Sequence, residues 1–238
     1  MQSVLLFDRL TREELASFTI FRRMKKVMDG CMKYVSLVLM SLIAVMFAAC
    51  GDDSSSVSSS SGKGSLLTLT DSRDGQTYKT VTIGTQIWMA ENLNYETVDS
   101  YCYSIDPSYC AKYGRLYTWA VAKIACPTGW HLPTKAEYET LFSAVGGDSV
   151  ASAKLKSTSG WSQEGNGTDD YLFSVLPAGF RYSRNAFFGN EGYEAHFWSS
   201  TEEDSDNAYY IYMFHLSDTA YLRNGSKNFG YSVRCVKD

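Results

Sequence analysis

The sequence predicts a single α+β domain over residues 66–238, with two or three helices, short antiparallel strands and disulfide staples. Three observations predict it. Apolar residues recur at helical spacing ahead of Trp161, and short alternating or apolar runs follow it. Helices early and short strands late mark an α+β domain rather than a series of βαβ units. Four cysteines, Cys102, Cys110, Cys126 and Cys235, fall inside the segment, an even number suited to two disulfides. The whole chain has 238 residues, 45% of them hydrophobic and 20% charged. That composition excludes wholesale disorder, a collagen-like repeat and a polytopic membrane protein.

Residues 1–49 read as a signal peptide. Tyr34 to Ala49 is an uncharged run behind Lys25, Lys26 and Lys33. It falls short of the roughly 20 residues a membrane-spanning helix needs, and it fits a signal-peptide core. The run ends Phe47-Ala48-Ala49-Cys50 and turns polar at once with Gly51-Asp52-Asp53. This resembles a bacterial lipobox, with Phe47 where Leu is usual, and it implies a lipid on the Cys50 sulfur. An uncleaved anchor with an incidental cysteine is the alternative. Residues 1–23 suit no signal peptide, and an over-extended gene start accounts for them. Peptides from residues 1–23 in mass spectra of the precursor would exclude that account. Residues 50–65 then form a tether, because the tract SSSVSSSSGKGS cannot bury apolar surface. Together these segments predict an exported protein, lipid-anchored at the outer membrane or cell surface. An exported chain is also one in which disulfides persist.

The domain's elements follow in order. Thr77–Ile83 alternates, turns at Gly84 and continues as Gln86–Ala90, which reads as a β-hairpin. Gly114–Ala125 places Leu116, Trp119, Ala120 and Ile124 at helical spacing. Thr134 opens a second helix with the capping box Thr134-Lys135-Ala136-Glu137. Tyr138, Leu141, Phe142 and Val145 form its buried stripe, and Gly146-Gly147 ends it. A short third helix covers Val150–Lys156. Five strands are expected beyond: Tyr171–Leu176, Phe197–Ser200, Ala208–Leu216, Ala220–Arg223 and Tyr231–Val236. Asn224-Gly225 is a turn signal. Three cysteine connectivities are open. Proximity favours Cys102–Cys110, which leaves Cys126–Cys235.

Three segments, in order, carry a family resemblance. The first is Asp74-Gly75-Gln76-Thr77-Tyr78 running into Gly84-Thr85-Gln86-Ile87-Trp88-Met89-Ala90-Glu91-Asn92-Leu93-Asn94-Tyr95. The second is Cys126-Pro127-Thr128-Gly129-Trp130-His131-Leu132-Pro133-Thr134. The third joins Leu176-Pro177-Ala178-Gly179-Phe180-Arg181, Phe197-Trp198-Ser199-Ser200-Thr201 and Gly230-Tyr231-Ser232-Val233-Arg234-Cys235. The set resembles the Fibrobacter succinogenes major paralogous domain. That family is similar in turn to C-type-lectin-like and formylglycine-generating-enzyme-like folds. The resemblance implies a C-type-lectin-like domain with a disulfide from the first helical region to the last strand, in line with Cys126–Cys235. It implies no established activity. Formylglycine-generating enzymes hold copper with two thiols in the carboxyl-terminal half; Cys235 alone lies there in this chain, so their oxidase activity is not carried over.

Little enzymatic machinery is legible. The three histidines, His131, His196 and His215, form neither HExxH nor HxH, and no GxSxG, P-loop or GxGxxG occurs. His131 reads as a packed structural residue and His215 as solvent-facing on a strand. The domain is therefore expected to be no enzyme, with a paired-carboxylate hydrolase as the third choice. No basic patch suggests nucleic acid as a partner. Residues 1–49 hold seven Lys/Arg and four Asp/Glu, leaving 15 of the 22 basic and 22 of the 26 acidic residues to the rest. Calcium is the one cofactor considered. Glu202, Asp204 and Asp206, with the loop Asn166–Asp170, offer the oxygens a hard cation takes, although a solvated acidic loop is the stronger reading. The candidate ligand surface is aromatic: Trp198, Tyr209, Tyr210 and Tyr212, with Arg181. Aromatic rings stack on the apolar faces of sugars while polar neighbours bond hydroxyls. Tyr209 and Tyr212 fall on opposite sheet faces, so one surface takes only one of them. The expected partner is a polysaccharide; an envelope protein is the alternative.

Overall fold

A computed structural model describes residues 66–183 and 187–238. The signal peptide, Cys50 and the tether lie outside them. Among the described residues there are twelve strands and four helices, an α+β arrangement, and no helix is long and apolar enough to cross a membrane.

The expected hairpin is present as β2 (Thr77–Ile83) and β3 (Gln86–Met89). Its turn needs Gly84, whose φ is +60°. Strand β1 (Leu66–Thr70) pairs with β2 at one edge. Strands β4 (Ser100–Tyr101) and β5 (Leu116–Tyr117) make a separate ribbon. Helix α1 (Pro107–Tyr113) lies between them. Proline fixes its first turn, and the Asp106 carboxylate accepts from the Ser108 N–H at 2.9 Å. No helix is expected from the sequence over these residues. The disulfide Cys102–Cys110 joins a 3₁₀ turn at Tyr103–Ile105 to this helix.

Helix α2 (Trp119–Ala125) starts later than the sequence suggests, because Leu116 and Tyr117 are claimed by the ribbon. Its buried face is Trp119, Ala122 and Ala125, whereas Ala120 is exposed and Ile124 is 79% exposed. Helix α3 (Lys135–Ala144) follows strand β6 (Trp130–His131). It has the expected capping box: Thr134 Oγ1 accepts from the Glu137 N–H at 3.2 Å, and Glu137 Oε2 accepts from the Thr134 N–H at 2.7 Å. Tyr138, Leu141, Phe142 and Val145 are buried. Helix α4 spans Asp148–Leu155.

Beyond α4 the expectations need three corrections. Tyr231–Val236 is not one strand: Tyr231 and Ser232 make isolated bridges to Tyr117 and Phe197, residues 233–235 are irregular, and only Val236 belongs to the last strand. Tyr171–Leu176 is not a strand; only Val175 pairs, with Lys156. Its carbonyls serve side chains instead: Arg234 donates to those of Phe173 and Ser174, and Trp161 Nε1 to that of Val175 at 2.9 Å. Asn224-Gly225 is not a turn but lies inside β11 (Ala220–Ser226), opposite Tyr209 and Ala208 of β10 (Asn207–Phe214). Glycine is used there for room, since a Cβ on Gly225 would stand 3.1 Å from the Tyr210 ring. Strand β9 (Glu194–Glu202) completes an antiparallel sheet of order β11-β10-β9. Two short strands, β7 (Phe180–Arg181) and β8 (Phe188–Gly189), pair beside it.

Strand β12 (Val236–Lys237) enters the first sheet in the middle, giving the order β1-β2-β3-β12-β6. The Cys126–Cys235 disulfide sits next to it, with the Cα atoms 5.9 Å apart. Both cysteine pairs thus follow the expected connectivity. The main core packs Val81, Ile83 and Trp88 of the first sheet and α3 and α4 against Phe197, Ile211 and Met213 of the second. A second cluster gathers Met89, Leu93, Trp119, Trp198 and Val233 around the long disulfide. Arg234 is 1% exposed inside this frame, with Nε donating to Asn92 Oδ1 at 2.8 Å.

Candidate functional site

Strand periodicity builds the site. Successive residues of β9 point to opposite faces. Ala195 and Phe197 enter the core, so Glu194, His196 and Trp198 share the other face. Across from them β10 places Phe214, Tyr212 and Tyr210 in register, and β11 adds Tyr221 and Arg223. Phe180, Tyr182, Phe229 and Tyr231 come in from β7 and the carboxyl-terminal loop. The result is a cavity of about 390 Å³ lined by the rings of Phe180, Tyr182, Tyr210, Tyr212, Phe229 and Tyr231 with Asn190, Glu194, His196 and Arg223.

The rings touch one another closely. His196 stacks 4.8 Å from Tyr231 and 5.6 Å from Tyr210, and Phe180 stands 4.6 Å from Tyr182. Tyr182 is 41% exposed at the mouth. Glu194 is the polar centre. Its Oε2 accepts from Asn190 Nδ2 at 2.8 Å and from His196 Nε2 at 3.0 Å, and its Oε1 accepts from the Tyr212 hydroxyl at 3.1 Å. The His196 Nδ1 is buried without a partner, which matches a neutral ring with its proton on Nε2. Burial holds His196 below the ordinary imidazole range, the opposing pull of Glu194 being the smaller effect. Burial works against the Glu194 charge as well. Yet its bonds from His196, Asn190 and Tyr212 outweigh that, and the carboxyl titrates below its usual range.

The expected ligand residues divide. Tyr210 and Tyr212 line the cavity. Trp198 has no exposed surface; it lies under Tyr231 at 4.3 Å and donates from Nε1 to the Tyr117 carbonyl at 2.8 Å, so it supports the rings and meets no ligand. Tyr209 stands away from the cavity, 5.0 Å from the Lys135 ammonium. Arg181 turns its guanidinium over Tyr101 at 3.9 Å instead. Glu194, His196, Asn190 and the loop aromatics were missed. The alternation Glu194-His196-Trp198 beside Tyr210-Tyr212 was the available signal, and it shows only once the two strands are paired.

The acidic loop satisfies itself. Glu202 receives the Lys227 ammonium at 2.5 Å, and the same ammonium donates to the carbonyls of Asp204 and Ser205. Asp204 accepts from the backbone N–H groups of Asp206 and Asn207, each at 2.8 Å. In the second loop, Asp169 accepts from the Ser174 N–H at 2.7 Å. Among the described residues no three His, Cys, Asp or Glu side chains converge as a metal site. His215 is buried at 5% exposure against Tyr193, in the turn after β10 and not on a solvent face. A larger cleft, about 710 Å³, lies beside the Cys102–Cys110 disulfide. Its charges are spent internally, Arg115 on Glu96 at 2.8 Å and Asp74 on Gln76.

Fold and site together define a two-disulfide α+β domain with an aromatic pocket on its second sheet. The chain belongs to the Fibrobacter succinogenes major domain family, whose model matches residues 81–237. No curated protein and no solved structure matches it. The kinship with C-type-lectin-like folds therefore rests on the sequence resemblance alone.

Proposed function

We propose that this is a lipid-anchored protein of the outer membrane or cell surface whose domain binds polysaccharide without transforming it. The observation that carries the binding reading is the pocket of β9–β11. Ring faces from Tyr182, Tyr210, Tyr212 and Phe229 surround Asn190, Glu194 and Arg223, the mixture of apolar faces and hydrogen-bonding groups a sugar ring needs. Glu194 is the one carboxylate of the lining, and glycoside hydrolysis uses two. The anchor and the location rest on the Phe47–Cys50 signal and the serine-rich tether.

The test is a glycan array with an insoluble-cellulose pull-down, using the detergent-solubilised full chain with disulfides intact, with and without calcium. Retention that falls at least about tenfold in Tyr210→Ala and Tyr212→Ala supports the reading. A folded chain retained on no glycan refutes it. The second reading, a protein-interaction module of the envelope, draws on strand β1. It lies at the sheet edge with Leu66 45% and Leu67 56% exposed, a template onto which another chain's strand can add.

A further inference from the structure

Glu194 imposes a requirement on whatever occupies the pocket. A carboxylate offers about four acceptor sites on its two oxygens. Three are used, two on Oε2 by Asn190 and His196 and one on Oε1 by Tyr212. The side chain is 16% exposed and lines the cavity, and Oε1 accepts the Tyr212 bond alone. None of the three donors is a Lys or Arg: they are an amide, a phenol and an imidazole whose buried Nδ1 has no partner, as in the neutral ring. Among the described residues no Lys or Arg pairs with Glu194 within 4 Å. The one cation of the lining, Arg223, sits over the Tyr212 and Tyr221 rings, at 5.4 and 5.2 Å.

The pocket thus holds a mostly buried carboxylate that no Lys or Arg among the described residues pairs, walled by ring faces that are themselves electron-rich. Both features favour a cation. A buried charge without a partner is costly, and a ligand that supplies the partner recovers that cost on binding. The small volume and ring walls suit one sugar ring.

Resting on the carbohydrate reading above, we infer that the pocket selects amino sugars, in which a protonated amine donates to Glu194 Oε1 while the sugar's apolar face lies on the aromatic wall. Neutral and N-acetylated sugars lack the charge and bind less tightly.

The experiment is calorimetry on the solubilised full chain at about pH 5.5, where a sugar amine is protonated and the Glu194 carboxylate remains ionised. The probes are the β-1,4-linked hexamers of glucosamine, N-acetylglucosamine and glucose. The glucosamine hexamer is expected to bind at least about tenfold more tightly than the other two. Glu194→Gln keeps the side-chain size and removes the charge. It is expected to erase that preference while neutral binding persists. Equal binding of all three hexamers, or a preference that survives Glu194→Gln, overturns the amine inference and leaves the carbohydrate reading standing. Binding of no hexamer by a folded chain overturns both.

Discussion

His131 ties two distant parts of the chain together through its ring. Nδ1 meets Asp238 at 2.6 Å and Nε2 meets Glu137 at 2.8 Å. Burial acts against the imidazolium, but the bonds to Asp238 and Glu137 prevail and raise its pKa above the ordinary 6.5. Burial likewise opposes the Glu137 charge, while the bonds from Thr134 and His131 hold its pKa below 4.5. The signs fix a window. The histidine's contribution is complete below about pH 6.5 and is lost as pH rises through the raised folded value. The glutamate's is complete above about pH 4.5 and is lost as pH falls through its lowered value. The stability difference between the native chain and His131→Gln should therefore be largest near pH 5–6 and shrink by pH 8. Thermal melts across that range check it, and a difference constant with pH would refute it. Arg234 is a harsher case. Arg234→Met removes one side chain but strands Asn92 Oδ1 and two carbonyls. A loss of about 3–5 kcal/mol is expected in urea unfolding, and a loss below 1 kcal/mol would show that the cavity rearranges.

At the scale of elements, α2 separates what pattern can and cannot tell. Its helical spacing was legible, but the face was not. Leu116 was counted into the periodicity although it belongs to β5, and this rotated the expected stripe onto Ala120 and Ile124. Two substitutions expose the difference. Ile124→Lys on the 79%-exposed side should change stability by no more than about 0.5 kcal/mol. Ala122→Leu, at a position with no exposure, should cost about 1–3 kcal/mol by overpacking. Reversed costs would restore the sequence-based face. Helix α3 was readable to its ends, because its cap and stripe are local signals. The pocket was only half readable for the converse reason. Tyr210 and Tyr212 stand out on one strand, but Glu194 and His196 acquire meaning from pairing across to them. Asn224-Gly225 misled in the same way: the dipeptide permits a turn, while in the strand a Cβ at Gly225 would crowd the Tyr210 ring at 3.1 Å.

At the scale of the molecule, the two disulfides divide the work unequally. They close loops of sequence separation 8 and 109. Chain-entropy arithmetic assigns roughly 2.6 kcal/mol to the short one and about 4.8 kcal/mol to the long one at 25 °C. Replacing Cys126 and Cys235 by alanine should lower the unfolding free energy by more than replacing Cys102 and Cys110, and denaturant titration of the two double variants decides it. Equal losses would mean that the unfolded chain is already compact between residues 126 and 235.

Strand β12 has a consequence in time as well as in space. It is the fourth strand of five, seated between β3 and β6, and its Val236 faces Trp88 across a gap of about 150 residues of chain. Until residues 236–237 have emerged, β3 and β6 have no partner between them and the first sheet stays in two parts. The chain must therefore be made through residues 236–237 before the first sheet can lock. The first sheet then closes in one late step, with oxidation of Cys126–Cys235 as the latch. Nascent chains stalled at residue 230 should remain sensitive to protease under conditions in which chains that include residues 236–238 resist it.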